Sequence, residues 1–206
     1  PFSRSGNSAP FSEAADGAII GEGACAVVLK RLEDAERDGD RIYAVIRGIG
    51  TASGDTVAFG DDVYRQALEK AYSDAGVAPD TIGFIEAGAD GIRENDRREA
   101  AALTSYFASV NVPVRSCAVS SIKGDIGHSG AASGLASLIR GCLALYHEII
   151  PGCRGLETPV SAPAESSPLH FPRSSRYWLR NRLEGPRRAG VSICCIDGSC
   201  SHVVLE

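Results

Sequence analysis

Methionine is absent from this chain of 206 residues, and tryptophan occurs once. Lacking methionine and opening on Pro1-Phe2, the chain is expected to be a piece of a longer polypeptide. No uninterrupted apolar run approaches the ~20 residues that a membrane-spanning helix requires, and no charged-then-apolar leader marks the start. A membrane protein is therefore not expected, and a cytoplasmic location is. Basic surplus is lacking as well: the formal net charge is −5 with both signs scattered, and Arg173 to Arg188 forms the only basic cluster, which gives nucleic-acid binding little support. The seven cysteines are an odd number. Cys25, Cys117, Cys142, Cys194 and Cys195 lie in apolar or strand-like segments, so reduced core thiols are expected rather than a disulfide framework. Cys194, Cys195, Cys200 and His202 match no Cys-x-x-Cys spacing, and no metal site is expected. Gly6, Gly17, Gly21 and Gly23 lack the strand, Gly-x-Gly-x-x-Gly, helix order of a dinucleotide loop.

What is present is ordinary for a folded domain: 44% hydrophobic residues, enough for a sizeable core. The most informative stretch is Ser121-Ile122-Lys123-Gly124-Asp125-Ile126-Gly127-His128-Ser129-Gly130-Ala131-Ala132-Ser133-Gly134. After it, Leu135, Leu138, Ile139, Cys142, Leu143 and Tyr146 recur at the i, i+3, i+4, i+7 spacing of a core-facing helix. That spacing predicts a buried helix over about Ser129 to Glu148, with Lys123 and His128 at its mouth. The small residues of its first turns admit a second backbone or a ligand.

The remaining pattern alternates strands and helices. Residues 1–16 read as a surface loop rich in Ser, Pro and Gly. Ala18–Ile20 and Ala24–Lys30 read as short buried strands, Leu32–Arg37 as a helix, Ile42–Gly50 as a strand and Gly50–Gly60 as a loop. Val63–Ala75 has helical spacing with Gly76 in the stop position. Strand Ile82–Ala87, helix Glu99–Phe107, strand Val114–Ser121 and final strands Arg188–Cys194 and Ser201–Leu205 complete an α/β layered architecture.

The Lys123-to-Gly134 stretch resembles the Lys-Ser-Asn-Ile-Gly-His-x-x-Ala-Ala-Ala-Gly signature of β-ketoacyl synthases, the thiolase-like enzymes that condense acyl chains. The likeness continues in Ala9-Pro10-Phe11-Ser12-Glu13-Ala14-Ala15-Asp16-Gly17, in Gly21-Glu22-Gly23-Ala24-Cys25-Ala26-Val27-Val28-Leu29-Lys30, and in the terminal His202-Val203-Val204-Leu205-Glu206. The resemblance implies a five-layer αβαβα sandwich of two similar halves. This chain would supply the end of the first half in residues 1–50 and the second half in residues 51–206. A sheet and helix built to be covered by the other half are expected to expose apolar surface.

The departures from the family carry the functional reading. The nucleophilic cysteine of active members lies upstream of Pro1. The first histidine of the family follows a buried strand, present here as Thr81-Ile82-Gly83-Phe84-Ile85-Glu86-Ala87, but Gly88 stands in its place and has no side chain to donate a hydrogen bond. Asp96 and Glu99 still fit the loop and helix that follow. The last family loop, Gly-Phe-Gly-Gly-Thr-Asn, reads Cys195-Ile196-Asp197-Gly198-Ser199-Cys200, and the acyl pocket is expected at Ile196, Asp197 and Gly198. Lys123 and His128 keep the family's catalytic positions.

Such a degraded site resembles the chain-length factor, the inactive partner of a live ketosynthase. The tail Pro172–Arg182, then Gly185–Gly190, ending in Asp197–His202, is most like the chain-length-factor region of polyunsaturated fatty acid synthases, with polyketide synthases close behind. The resemblance implies a ketosynthase-type dimer partner, acyl carrier protein as a second partner, no bound cofactor, and carrier phosphopantetheine as the bearer of substrate. An active synthase with its cysteine upstream and a scaffold that docks carrier protein through Arg173–Arg188 are the alternatives.

Overall fold

The computed structural model describes residues 2–54, 60–160, 166–195 and 197–206. Its centre is a six-stranded sheet in the order β1-β8-β7-β2-β3-β5, formed by β1 (Ile46–Ala52), β2 (Phe84–Glu86), β3 (Cys117–Ser120), β5 (Leu169–His170), β7 (Ala189–Cys194) and β8 (Cys200–Leu205). β7, β2, β3 and β5 run parallel, and β8 is antiparallel to both β1 and β7. A second ribbon pairs β4 (Ile149–Ile150) with β6 (Arg176–Tyr177).

Strand alternation divides the core between the two faces of the sheet. Ile85, Val119, Leu169 and Val204 face α2 (Asp61–Ala75) and α3 (Arg93–Ser109), where they pack with Tyr64, Leu68, Leu103 and Phe107. Phe84, Ala118, Val191 and Leu205 face the other way, towards α5 (Ala132–Tyr146) and Trp178. In α2, Tyr64, Ala67, Leu68, Ala71, Tyr72 and Ala75 are buried, a stripe at helical spacing. Asp61 and Asp62 sit at its positive end, and Gly76 closes it at φ 62°, donating to Tyr72 O and Ser73 O. The helix lies directly on β1 because Gly48 and Gly50 present no side chain: a Cβ on Gly50 would fall 2.0 Å from Ala67 O.

Four expectations are corrected. The segment Ala24–Lys30 is not a buried strand: it joins no ladder among the described residues, and Val28 and Leu29 are 95% and 73% exposed. Ala18–Ile20 reaches only single bridges, Phe2 to Ala18 and Ile20 to His128. A strand pattern without a neighbouring strand has nothing to pair with. The 129–148 helix begins at Ala132, preceded by α4 (Lys123–Ile126), and it inverts the expected core face. Its buried residues are Ser133, Ala136, Ser137, Gly141 and Ala144, while Leu143 and Tyr146 are exposed and Leu135, Leu138, Ile139 and Cys142 half-buried. The small face wins because it lets α5 press on the sheet: a Cβ on Gly141 would lie 2.9 Å from Val191 and 3.0 Å from Leu205. Finally, Cys194 and Cys200 are joined in a disulfide rather than held as thiols, because the β7–β8 register sets them opposite each other. Cys25, Cys117, Cys142, Cys153 and Cys195 are free. α1 (Leu32–Asp38), α2, β2, β3, β7 and β8 stand where expected within a few residues; β1 starts four residues later than expected and α3 six residues earlier, at Arg93, while the short β4, β5, β6 and α4 were not anticipated. Residues 55–59 of the expected 50–60 loop lie outside the described residues. No described helix is long and apolar enough to cross a membrane.

Candidate functional site

The site lies where three parallel strands deliver their carboxyl ends side by side. β2 leads into Gly88, β3 into Ser121 and Lys123, and β7 into the Cys195–Ser199 turn. Lys123 is 5% exposed and donates from Nζ to the Gly88 carbonyl at 2.5 Å. Gly88 in turn donates its N–H to Glu99 Oε1 at 2.8 Å, and the Tyr64 hydroxyl donates to the same oxygen at 3.1 Å. Burial pushes the Glu99 carboxyl up, opposed by the Gly88 N–H and by the charge of Lys123. Gly88 is thus held on both sides by backbone bonds. It also has room: a Cβ would stand 3.4 Å from Glu99 Oε1 and 3.6 Å from the backbone of Ser192 and Cys194.

His128 is half-buried, and its Nδ1 accepts from Gly130 N–H at 3.1 Å. That assigns the proton to Nε2. Burial, then the nearby Lys123 charge, lowers its pKa, so the ring is a neutral N–H donor at neutral pH. Its backbone is clasped by Ile19 O and Gly21 N–H at 2.7 and 3.0 Å, and Gly21 and Gly127 leave no room for side chains at that crossing. Lys123 and His128 therefore share one electrostatic environment, and Lys123 and Gly88 share a hydrogen bond. In the β7–β8 turn, the exposed Asp197 accepts from Ser199 N–H and Oγ, which holds its carboxyl below the usual range. Gly198 is buried at φ 80°. Ile196 lies outside the described residues.

Several supporting interactions surround the site, of which the Glu86–Arg140 pair escaped the sequence reading and Asp96 was noted only as fitting the family's pattern. Glu86, fully buried at the end of β2, accepts from Ile122 N–H at 2.6 Å and from Arg140 at 3.0 Å. Arg140 also reaches Asp125 at 3.3 Å and Gly152 O at 3.1 Å, so one guanidinium from α5 anchors the turn that carries Lys123. Burial still raises the Glu86 carboxyl to about 7. Asp96 accepts from Phe11, Asp90 and Gly91 N–H groups and is likewise raised by burial, to about 7. An acid inside an apolar strand and an arginine inside an apolar helix were the available signals. Of the four residues weighed as a zinc set, Cys200 is engaged with Cys194 and His202 with Ser192 Oγ and the Tyr72 hydroxyl, while Cys195 is free and exposed.

A model of the β-ketoacyl synthase C-terminal domain matches residues 43–157, and one of the N-terminal domain matches residues 1–35. The chain belongs to the β-ketoacyl synthase family. It is 40% identical over 204 residues to polyketide synthase ThaQ of Burkholderia thailandensis, covering 95% of this chain and 10% of that protein. It is 37% identical over 209 residues to a polyunsaturated fatty acid synthase component from a Thraustochytrium species, covering 95% of this chain and 7% of that one. Ketosynthase twelve of the bacillaene polyketide synthase from Bacillus amyloliquefaciens superposes with a TM-score of 0.93 at 30% identity, over all of this chain and 37% of its own. The PfaC ketosynthase–chain length factor superposes at 0.88 with 32% identity, over 99% of this chain and 22% of its own. The layered thiolase-like ketosynthase fold is thereby established for this chain, which spans a tenth or less of these two curated relatives. It is ketosynthase sequence of the polyketide and fatty acid synthase kind.

Proposed function

We propose that this ketosynthase sequence serves as a chain-length-factor-type partner of an active ketosynthase in acyl elongation, without condensing acyl groups itself. The observation that carries the reading is Gly88. Its backbone is bonded to Lys123 and Glu99, and a Cβ would fit there in ordinary van der Waals contact, yet no imidazole stands there. A condensing site needs its acid–base and nucleophilic groups together. What the chain's own residues retain is a cation, Lys123, and a neutral N–H donor, His128 Nε2, both suited to polarising a thioester carbonyl. Carrier phosphopantetheine would present that thioester as substrate, and its protein would be the second partner after the ketosynthase.

The active-synthase alternative depends on the residue at the family's nucleophile position upstream of Pro1, where a cysteine favours it and a glutamine favours ours. The docking-scaffold alternative loses support from the arginines it invokes. Arg173 donates to Glu157 O, Arg180 to Thr81, Glu184 and Gly185 carbonyls, Arg187 to Trp178 O, and Arg188 to Glu206. Those guanidiniums are spent on the fold. The reading is tested by reconstituting the partner ketosynthase with and without the parent protein: product should require both, and substitutions lining the site should change product length. Full-length product from the partner alone would refute it.

A further inference from the structure

We propose that Cys194 and Cys200 form a reversible thiol–disulfide site that clamps the β7–β8 turn at the edge of the Gly88–Lys123 site, exchanging with dithiols and low-molecular-weight disulfides. This inference is independent of whether the domain condenses acyl groups. The antiparallel register places Cys194 opposite Cys200, with Cα atoms 4.2 Å apart.

Position in the fold argues against a scaffold role. The pair is six residues apart in sequence, and a loop so short has the least closure entropy to remove from the unfolded chain. The other five cysteines are free, so the bond belongs to no disulfide framework. What the bond does enclose is the turn that replaces the family's last loop. Inside it, Cys195 N–H donates to Ser199 O at 2.8 Å, Gly198 N–H to Cys195 O at 3.1 Å, and Ser199 to Asp197. The strand end that the bond fixes is also the wall of the site, since Cys194 N lies 3.6 Å from where a Cβ on Gly88 would stand.

Access orders the two sulfurs. Cys200 is 1% exposed, whereas Cys194 is intermediate and packs at the edge of the core, so Cys194 is the residue of the pair more open to an incoming thiolate. That thiolate forms a mixed disulfide there and expels Cys200 as a thiolate, which takes up a proton. The second thiol of the dithiol then attacks the mixed disulfide, releasing Cys194 as a thiol and leaving the dithiol as its cyclic disulfide, a two-electron exchange. A glutathione-type disulfide reverses it: two protein thiols are oxidised and two small thiols released. Cys117 and Cys153 do not compete, because burial pushes both thiols up, Cys153 to about 12. Exposed Cys195 supplies an internal standard.

The test uses the parent protein in mixtures of reduced and oxidised dithiothreitol, quenched in acid and alkylated. No lysine or arginine falls between Ala189 and Glu206, so one tryptic peptide carries all three cysteines. It should take up one alkyl group in oxidising mixtures and three in reducing ones. Amide exchange across 194–200 should accelerate about tenfold on reduction, as a turn released from its clamp opens locally. Cys200→Ser and, separately, Cys194→Ser should fix the fast rate in every mixture. Three alkyl groups under oxidising conditions would overturn the proposal, and so would a one-to-three transition that leaves amide exchange unchanged.

Discussion

Acid should loosen the β7–β8 hairpin through one side chain, His202. Its imidazole is buried, with Nδ1 2.8 Å from Ser192 Oγ and Nε2 3.1 Å from the Tyr72 hydroxyl. Burial drives its pKa down to about 3, against roughly 6.5 in an unfolded chain. With the folded value depressed, the unfolded state binds the extra proton. Stability is therefore whole above pH 6.5 and falls as pH drops towards 3, by up to ~1.4 kcal/mol per pH unit. At pH 5 the loss attributable to His202 is about 2 kcal/mol. Glu86 and Asp96, both raised to about 7, act in the opposite sense: the folded state holds their protons, so stability falls as pH rises from the unfolded carboxylate range, about 4, to 7. The whole-protein curve sums these effects, and His202→Gln isolates one, since an amide can still bond Ser192 and Tyr72 without titrating. The assay is hydrogen exchange of β7 and β8 amides in the parent protein at pH 7 and pH 5, corrected for intrinsic rates. Wild type should lose about 2 kcal/mol more protection than the variant between the two. Equal losses would refute the reasoning.

Gly50→Ala should destabilise by about 3 kcal/mol in chemical denaturation, because its Cβ would fall 2.0 Å from Ala67 O and force α2 off the sheet. Lys123→Ala should cost about 2 kcal/mol, stranding the Gly88 carbonyl, whereas His128→Ala should cost about 1 kcal/mol, since the ring is half-buried with one backbone partner; equal losses would contradict the geometry. The isolated 206-residue chain should bind hydrophobic dye and self-associate, because Val28, Leu29, Leu143 and Tyr146 are exposed. A dye-silent monomer that unfolds cooperatively would count against that expectation.

The longer elements whose partners lie within the chain were legible in sequence, whereas the two-residue strands β4, β5 and β6 are too short to carry a pattern. α2 announced itself by its stripe and Gly76, and β2, β3, β7 and β8 by short strand-like segments rich in β-branched and apolar residues. Ala24–Lys30 has the same strand composition but no strand beside it among the described residues, and composition cannot report an absent neighbour. α5 misled because it carries two apolar faces, and periodicity alone favours the larger side chains, whereas close packing on a sheet selects the smaller. Within the candidate site, Lys123, His128 and Gly88 were named from the family's pattern. Glu86 and Arg140 were not, because 54 residues separate them and only the fold shows that they meet. The Cys194–Cys200 pair depended on register, which a count of seven cysteines does not contain.

The central claim, that this domain does not condense acyl groups, is tested most directly by assaying parent-length Gly88→His and wild-type proteins without a ketosynthase partner, supplied with acyl and malonyl carrier-protein thioesters. Catalytic groups act as a unit, so restoring one imidazole should not restore the rate. The account predicts no condensed product from either protein, whether or not Lys123 and His128 support slow decarboxylation. Robust condensed product from wild type alone, or from Gly88→His, would contradict it.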